Sequence, residues 1–176
     1  MKLVHYFPTT RLTEGGTVRA AIDFCTVLAR RGHDVVWLTT DDFDVPDSWK
    51  NKEPNTPTIS LLGPIQKAGG RITKEQISTA TELIRGADVV HIHAMWMPSN
   101  PQVAKACDAA GVPWVLSIHG MLDDWCMDQR GLKKQFYLAT AGRTMVRGAT
   151  TFLLTAEEEK RQASRWLKHD RVAVIP

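Results

Sequence analysis

Short apolar runs alternate along this chain with longer segments whose apolar residues recur at helical spacing. Runs at 3–7, 35–38, 58–62, 89–92, 114–118, 151–154 and 172–175 are four or five residues long and predict seven strands. After the first run, Val18, Ala21, Ile22, Cys25, Leu28 and Ala29 fall at i, i+3, i+4, i+7 spacing and predict a helix, with Gly32 where a helix C-terminal glycine belongs. Three further helix starts carry the S/T-x-x-E/Q pattern: Thr73 with Gln76, Ser99 with Gln102, and Thr155 with Glu158. In such a box each side chain satisfies a backbone N–H that the first turn leaves without a partner. Gly86 and Gly111 close the first two of these helices, and a basic helix is expected over about 132–147. Residues 41–57 hold three prolines and many acids and read as a surface loop, as do residues 63–71.

Alternating short strands and helices imply a parallel sheet covered on both faces. Right-handed crossovers leave few topologies, with the doubly wound order 3-2-1-4-5 as the default. The expected fold class is therefore α/β, a Rossmann-like doubly wound parallel sheet of about seven strands. A length of 176 residues suits a single domain over 1–176. Hydrophobic residues make up 43% and charged residues 23%, so a core burying roughly 70% of the unfolded surface is within reach. The net charge of +3 is too small to argue for a nucleic acid partner, and none is assigned.

Cys25, Cys107 and Cys126 are odd in number and form no CxxC pair, which points to a reducing compartment without a disulfide framework. Met1-Lys2 runs straight into the first strand, and no run of 18 apolar residues occurs. The expectation is a chain neither secreted by a cleaved leader nor spanning a membrane.

In open parallel sheets ligands bind beyond the carboxyl ends of the strands, where the strand order reverses. Three loops are expected there: 8–16, 93–99 and 119–129. Gly15-Gly16 directly precedes a helix, so a phosphate could sit on the helix start; the same pair also serves a tight turn. It is not the GxGxxG of a dinucleotide site. Trp96 can stack on a sugar or base, or pack its loop onto the core. His119, followed by Gly120, stands at a strand's carboxyl end and can exchange a hydrogen bond with a hydroxyl, or be a satisfied structural histidine.

His91 and His93 alternate along one strand and share a face, but no third ligand of suitable spacing accompanies them, so the pair is read as structural. Asp41-Asp42 and Asp123-Asp124 could hold Mg²⁺ or be hydrophilic loop tips, and nothing marks Cys126 as a nucleophile. No acid lies between Gln129 and Arg147, where Arg130, Lys133, Lys134, Arg143 and Arg147 interleave with Phe136, Leu138 and Met145. Such a segment can lie against anionic lipid or be a solvated helix face.

Taken in order, these features resemble the N-terminal, acceptor-side domain of GT-B glycosyltransferases of family 4, group 1 type. The resemblance is carried by Val4 to Phe7 with the loop to Gly15-Gly16, by Arg31-Gly32-His33-Asp34-Val35, and by Asp88-Val89-Val90-His91-Ile92-His93. Ser117-Ile118-His119-Gly120-Met121-Leu122 with Trp125 resembles bacterial cell-surface and exopolysaccharide members. Thr155-Ala156-Glu157-Glu158 and then Val172 to Pro176 resemble the approach to an interdomain linker. The resemblance implies sugar transfer from a nucleotide-diphosphate sugar with retention, no cofactor and no essential metal. It implies that His119 faces the reacting sugar, that Gly15 and Gly16 form a loop near donor phosphate and acceptor, and that Trp96, Gly120, Met121 and Asp124 line the acceptor side. The acceptor would be a glycan or a lipid-linked saccharide, and the setting cytoplasmic, with peripheral contact to anionic membrane. The family's C-terminal donor-binding domain has no counterpart here, so the chain by itself is expected to be inactive. A stand-alone nucleotide-binding protein and a non-enzymatic saccharide-binding or partner-binding module are the competing readings.

Overall fold

The computed structural model describes residues 1–65, 69–167 and 171–175. Seven strands, β1 (Lys2–Tyr6), β2 (Asp34–Thr39), β3 (Thr58–Leu61), β4 (Val89–His93), β5 (Trp114–Ser117), β6 (Thr151–Leu154) and β7 (Val172–Val174), form one sheet in the order β3-β2-β1-β4-β5-β6-β7. Every neighbouring pair is parallel. The helices are α1 (Gly16–Arg30), α2 (Asp47–Lys50), α3 (Lys74–Arg85), α4 (Asn100–Ala110), α5 (Asp124–Asp128), α6 (Gly131–Ala139), α7 (Arg143–Gly148) and α8 (Glu157–Ala163). The strand order reverses between β1 and β4, as the pattern predicts.

Alternation divides the strand side chains between two cores. Val4, Tyr6, Val36, Leu38, Val90, Ile92, Trp114, Leu116, Phe152 and Leu154 face one side and are buried with residues of α3, α4, α7 and α8. Phe7, Val35 and Trp37 face the other, under Val18, Ala21, Ile22, Cys25 and Ala29 of α1. The buried stripe of α1 is thus the one its spacing foretells, and Cys25 and Cys107 are buried as small hydrophobes. Beyond β1 the second face turns polar. Its register places His5 beside His91 and, one strand further, His93 beside Ser117.

Three local expectations need correction. The Thr73–Gln76 box forms in full, but Ser99 and Thr155 do not cap as expected. Ser99 Oγ instead accepts the Tyr6 hydroxyl at 2.8 Å, and Gln102 holds the backbone of Ile72. Thr155 donates to Glu159, while Glu158 pairs with Arg161. The segment 41–57 is not loop throughout, because α2 buries Trp49 against Trp37. The basic helix over 132–147 is two helices broken at Thr140 to Gly142, where the Tyr137 ring leaves space only for a glycine: a Cβ on Gly142 would lie 2.6 Å from that ring.

Candidate functional site

Among the described residues, two hollows open at the carboxyl ends of the strands. The first, about 210 Å³, is lined by Ala20, Ala21 and Phe24 of α1, by His91, His93, Ser117 and His119, and by the ends of β6 and β7. The second, about 430 Å³, lies between the 8–14 loop, the 40–43 loop and Met97-Pro98-Ser99.

His119 is carried into the first hollow by local backbone geometry. Both His119 (φ 54°) and Gly120 (φ 73°) are in the left-handed region, so the chain turns sharply where β5 ends. The turn is held from behind by Glu159 of α8. Its buried carboxylate accepts Gly120 N at 2.6 Å through one oxygen and, through the other, Thr155 N at 2.6 Å and the Thr155 hydroxyl at 2.9 Å. Burial lowers the His119 pKa below its usual 6.5, and the Glu159 charge opposes that shift in part. Glu159 eluded the sequence reading because the capping pattern drew attention to its neighbour Glu158.

Behind His119 stand three buried histidines. His5 Nδ1 lies 3.0 Å from His93 Nε2, and His93 Nδ1 lies 3.4 Å from His119 Nε2. His91 stacks on His93 with centroids 4.1 Å apart, and its Nε2 meets Ser117 Oγ at 2.7 Å. Burial lowers the pKa of His5 to about 3 and drives those of His91 and His93 well below 6.5, so all three are neutral at physiological pH. The expectation that His91 and His93 lack a third potential ligand is therefore overturned. β1 supplies His5, and the three rings bring nitrogens within 4.8 Å of one another. Sequence spacing could not show this, since 86 residues separate His5 from His91 and only the β1–β4 register joins them.

Gly15 (φ 112°) and Gly16 are exposed at the start of α1, and a Cβ on either would meet nothing within 4 Å. Glycine is required at Gly15 by its backbone angle, and at neither position by a close neighbour. The loop before them is clamped by acids: Asp41 accepts Thr9 Oγ1 and Thr10 N, both at 2.8 Å, and Asp44 accepts Leu12 N at 2.8 Å. Both Asp41 carboxylate oxygens are thus engaged by the loop. Trp96 donates from Nε1 to Met121 O at 3.2 Å, with Tyr137 edge-on at 5.5 Å and Lys134 Nζ 5.3 Å above its ring. Met121 Sδ accepts Met95 N. Asp123 caps α5, and Asp124 pairs with Arg165 at 2.6 Å. Trp96, Met121 and His119 are thus grouped on the β4–β5 side, while Gly15 and Gly16 line neither hollow.

The sequence profile of the glycosyl transferase 4-like domain matches residues 15–176. This chain belongs to that family. No curated protein sequence is similar enough to be counted a relative. Among solved structures, Anabaena Alr3699/HepE in complex with UDP and glucose has a TM-score of 0.70 at 16% identity, covering 99% of this chain and 44% of that one. S. aureus MnaA with UDP has a TM-score of 0.63 at 15% identity, covering 98% and 44%. Acinetobacter baumannii MurG has 0.52 at 16%, covering 88% and 40%. The shared feature is the fold, and the chain spans less than half the length of each of these structures.

Outside the hollows, Trp125, Leu132 and Phe136 are 75%, 86% and 71% exposed. They stand beside Arg130 and Lys133, whereas Met145 is buried and Leu138 half-buried. The outward apolar residues of the basic segment are thus not the full set its sequence suggests. No helix among the described residues is long and apolar enough to cross a membrane.

Proposed function

We propose that this domain is the acceptor-side half of a retaining glycosyltransferase that moves a sugar from a nucleotide-diphosphate sugar to a glycan or lipid-linked acceptor in cell-surface polysaccharide synthesis. The carrying observation is the neutral His119, turned into a hollow at the sheet's carboxyl edge within a chain of the glycosyl transferase 4-like family. A neutral imidazole there can exchange a hydrogen bond with a sugar hydroxyl without adding charge. In this reading Trp96, Gly120, Met121 and Asp124 border the acceptor, and Gly15-Gly16 face the donor phosphate across the cleft from a second, donor-binding half. No metal is essential. Donor binding and stabilisation of the leaving diphosphate fall to that second half, so this chain alone turns nothing over. UDP, bound in the HepE and MnaA structures, is the nucleotide to test first. The cationic face with Trp125, Leu132 and Phe136 suits peripheral contact with an anionic membrane on its cytoplasmic side.

The test is His119→Ala in the protein that carries both halves. Turnover should fall by roughly 10²-fold or more, within the range of a positioned proton-exchanging group, while nucleotide affinity is unchanged. Unaltered turnover would remove His119 from the site.

A further inference from the structure

The histidines behind His119 are more than packing. The His5–His93 centroid separation is 5.3 Å against an N···N distance of 3.0 Å, and for His93–His119 it is 5.7 Å against 3.4 Å. The difference is 2.3 Å in both, two imidazole radii laid end to end. The nitrogens therefore lie on the line joining the rings, and with interplanar angles of 24° and 25° the three rings form a nearly flat ribbon. His91 lies outside the ribbon, face to face with His93 at 4.1 Å and 23°.

This arrangement constrains protons. A neutral imidazole carries one N–H and one bare nitrogen. Each N···N contact needs one proton: two would clash, and none would leave two lone pairs facing. Along the ordered chain His5 Nδ1···Nε2 His93 Nδ1···Nε2 His119, only two arrangements satisfy both contacts. Either all three rings carry the proton on Nδ1, or all three carry it on Nε2. The ring nitrogens left at the ends are His5 Nε2 and His119 Nδ1. Whether that last nitrogen donates or accepts is thus decided jointly by all three rings.

We propose that His5 and His93 are positioning residues that fix, through this shared tautomer, which nitrogen of His119 bears the proton at the sugar-transfer cleft. The proposal rests on the reading of His119 given above, but its chemistry is measurable without it. Among the described residues, the groups against the ribbon are His91 and Ser117 at its flank, Phe24 of α1 edge-on to His5, Phe7 and Trp37 beside His93, and the Glu159 carboxylate near His119. The same nitrogens invite comparison with a metal site. Tetrahedral zinc at about 2.0–2.1 Å from each ligand needs lone pairs that converge on one point. Face-to-face rings such as His91 and His93 present theirs side by side, and the His5–His93 contact already has hydrogen-bond length.

The experiment is nitrogen-detected NMR of this chain with ¹⁵N-labelled histidine. Long-range proton–nitrogen spectra report each ring's tautomer, and couplings across N–H···N bonds report the contacts directly. A single tautomer shared by His5, His93 and His119, with coupling across both contacts, is the expected result. In His5→Phe, which keeps an aromatic ring, the His119 tautomer ratio should change about fivefold although residue 5 does not touch it. In the protein carrying both halves, the same variant should lower kcat by about tenfold, leave donor KM within about twofold and move the pH profile, a fraction of what the imidazole itself contributes.

Mismatched tautomers or absent couplings would overturn the proposal, as would stoichiometric zinc or cobalt binding that shifts His5, His91 and His93 together. Should His5→Phe fail to fold, the wild-type couplings still decide. Couplings present with turnover indifferent to His119 would sink the sugar-transfer role alone. Couplings absent with turnover dependent on His119 would sink the shared tautomer alone.

Discussion

A fall from pH 7 to pH 5 should strip this domain of a large part of its stability. His5, His91 and His93 are held neutral by burial, His5 with its pKa near 3 and the other two well below 6.5. In the unfolded chain each titrates near 6.5. Between these limits the unfolded state binds protons that the folded state refuses, so stability is complete above about pH 6.5 and is lost as the pH falls. At pH 5 each unfolded imidazole gains about 2 kcal/mol from protonation, so His5 contributes about 2 kcal/mol and the three together at most about 6 kcal/mol. A domain of this kind has about 5–15 kcal/mol in total. The partly buried His119 adds in the same direction. Glu158, pulled down to about 2 by Arg161, does not interfere: its contribution is complete above its ordinary 4.5 and is lost only at lower pH. Urea denaturation at pH 7 and pH 5 in constant salt, followed by tryptophan fluorescence, measures the difference directly. His5→Phe should remove about a third of it. A stability that changes by less than about 1 kcal/mol between these pH values would refute a neutral buried cluster.

Two further outcomes bear on the site and its surroundings. In Glu159→Gln an amide with one carbonyl oxygen replaces a carboxylate that now accepts two backbone N–H groups on different oxygens, so one N–H must face an NH₂. A loss of about 2–4 kcal/mol is expected, with a drop in Tm of about 2–4 °C for each kcal/mol; a Tm equal to that of the exposed control Glu158→Gln would mean the turn does not depend on Glu159. On vesicles containing anionic lipid, the chain should co-sediment in a salt-sensitive manner, and Leu132→Ser with Phe136→Ser should weaken this roughly tenfold or more; binding indifferent to lipid charge would retire the membrane face.

Sequence pattern alone determined the seven strands, the helix with its apolar stripe from Val18 to Ala29, the parallel doubly wound sheet and the histidine at the end of β5. These are legible because strand and helix periodicities are local, and because parallel connection rules leave few ways to join them. The capping box at Thr73 was legible for the same reason. Ser99 and Thr155 show the limit: each has a cap sequence, but Tyr6 and Glu159 offer partners from outside the local turn. The histidine ribbon could not be read at all from spacing. Only the register that sets His5 beside His91, and the left-handed turn at His119, bring rings from three strands onto one line. Such contacts depend on interstrand alignment to within one residue, since a slip of one would turn His5 to the opposite core. Local sequence specifies which elements form, whereas the chemistry of this site arises from the distances at which the folded sheet holds them.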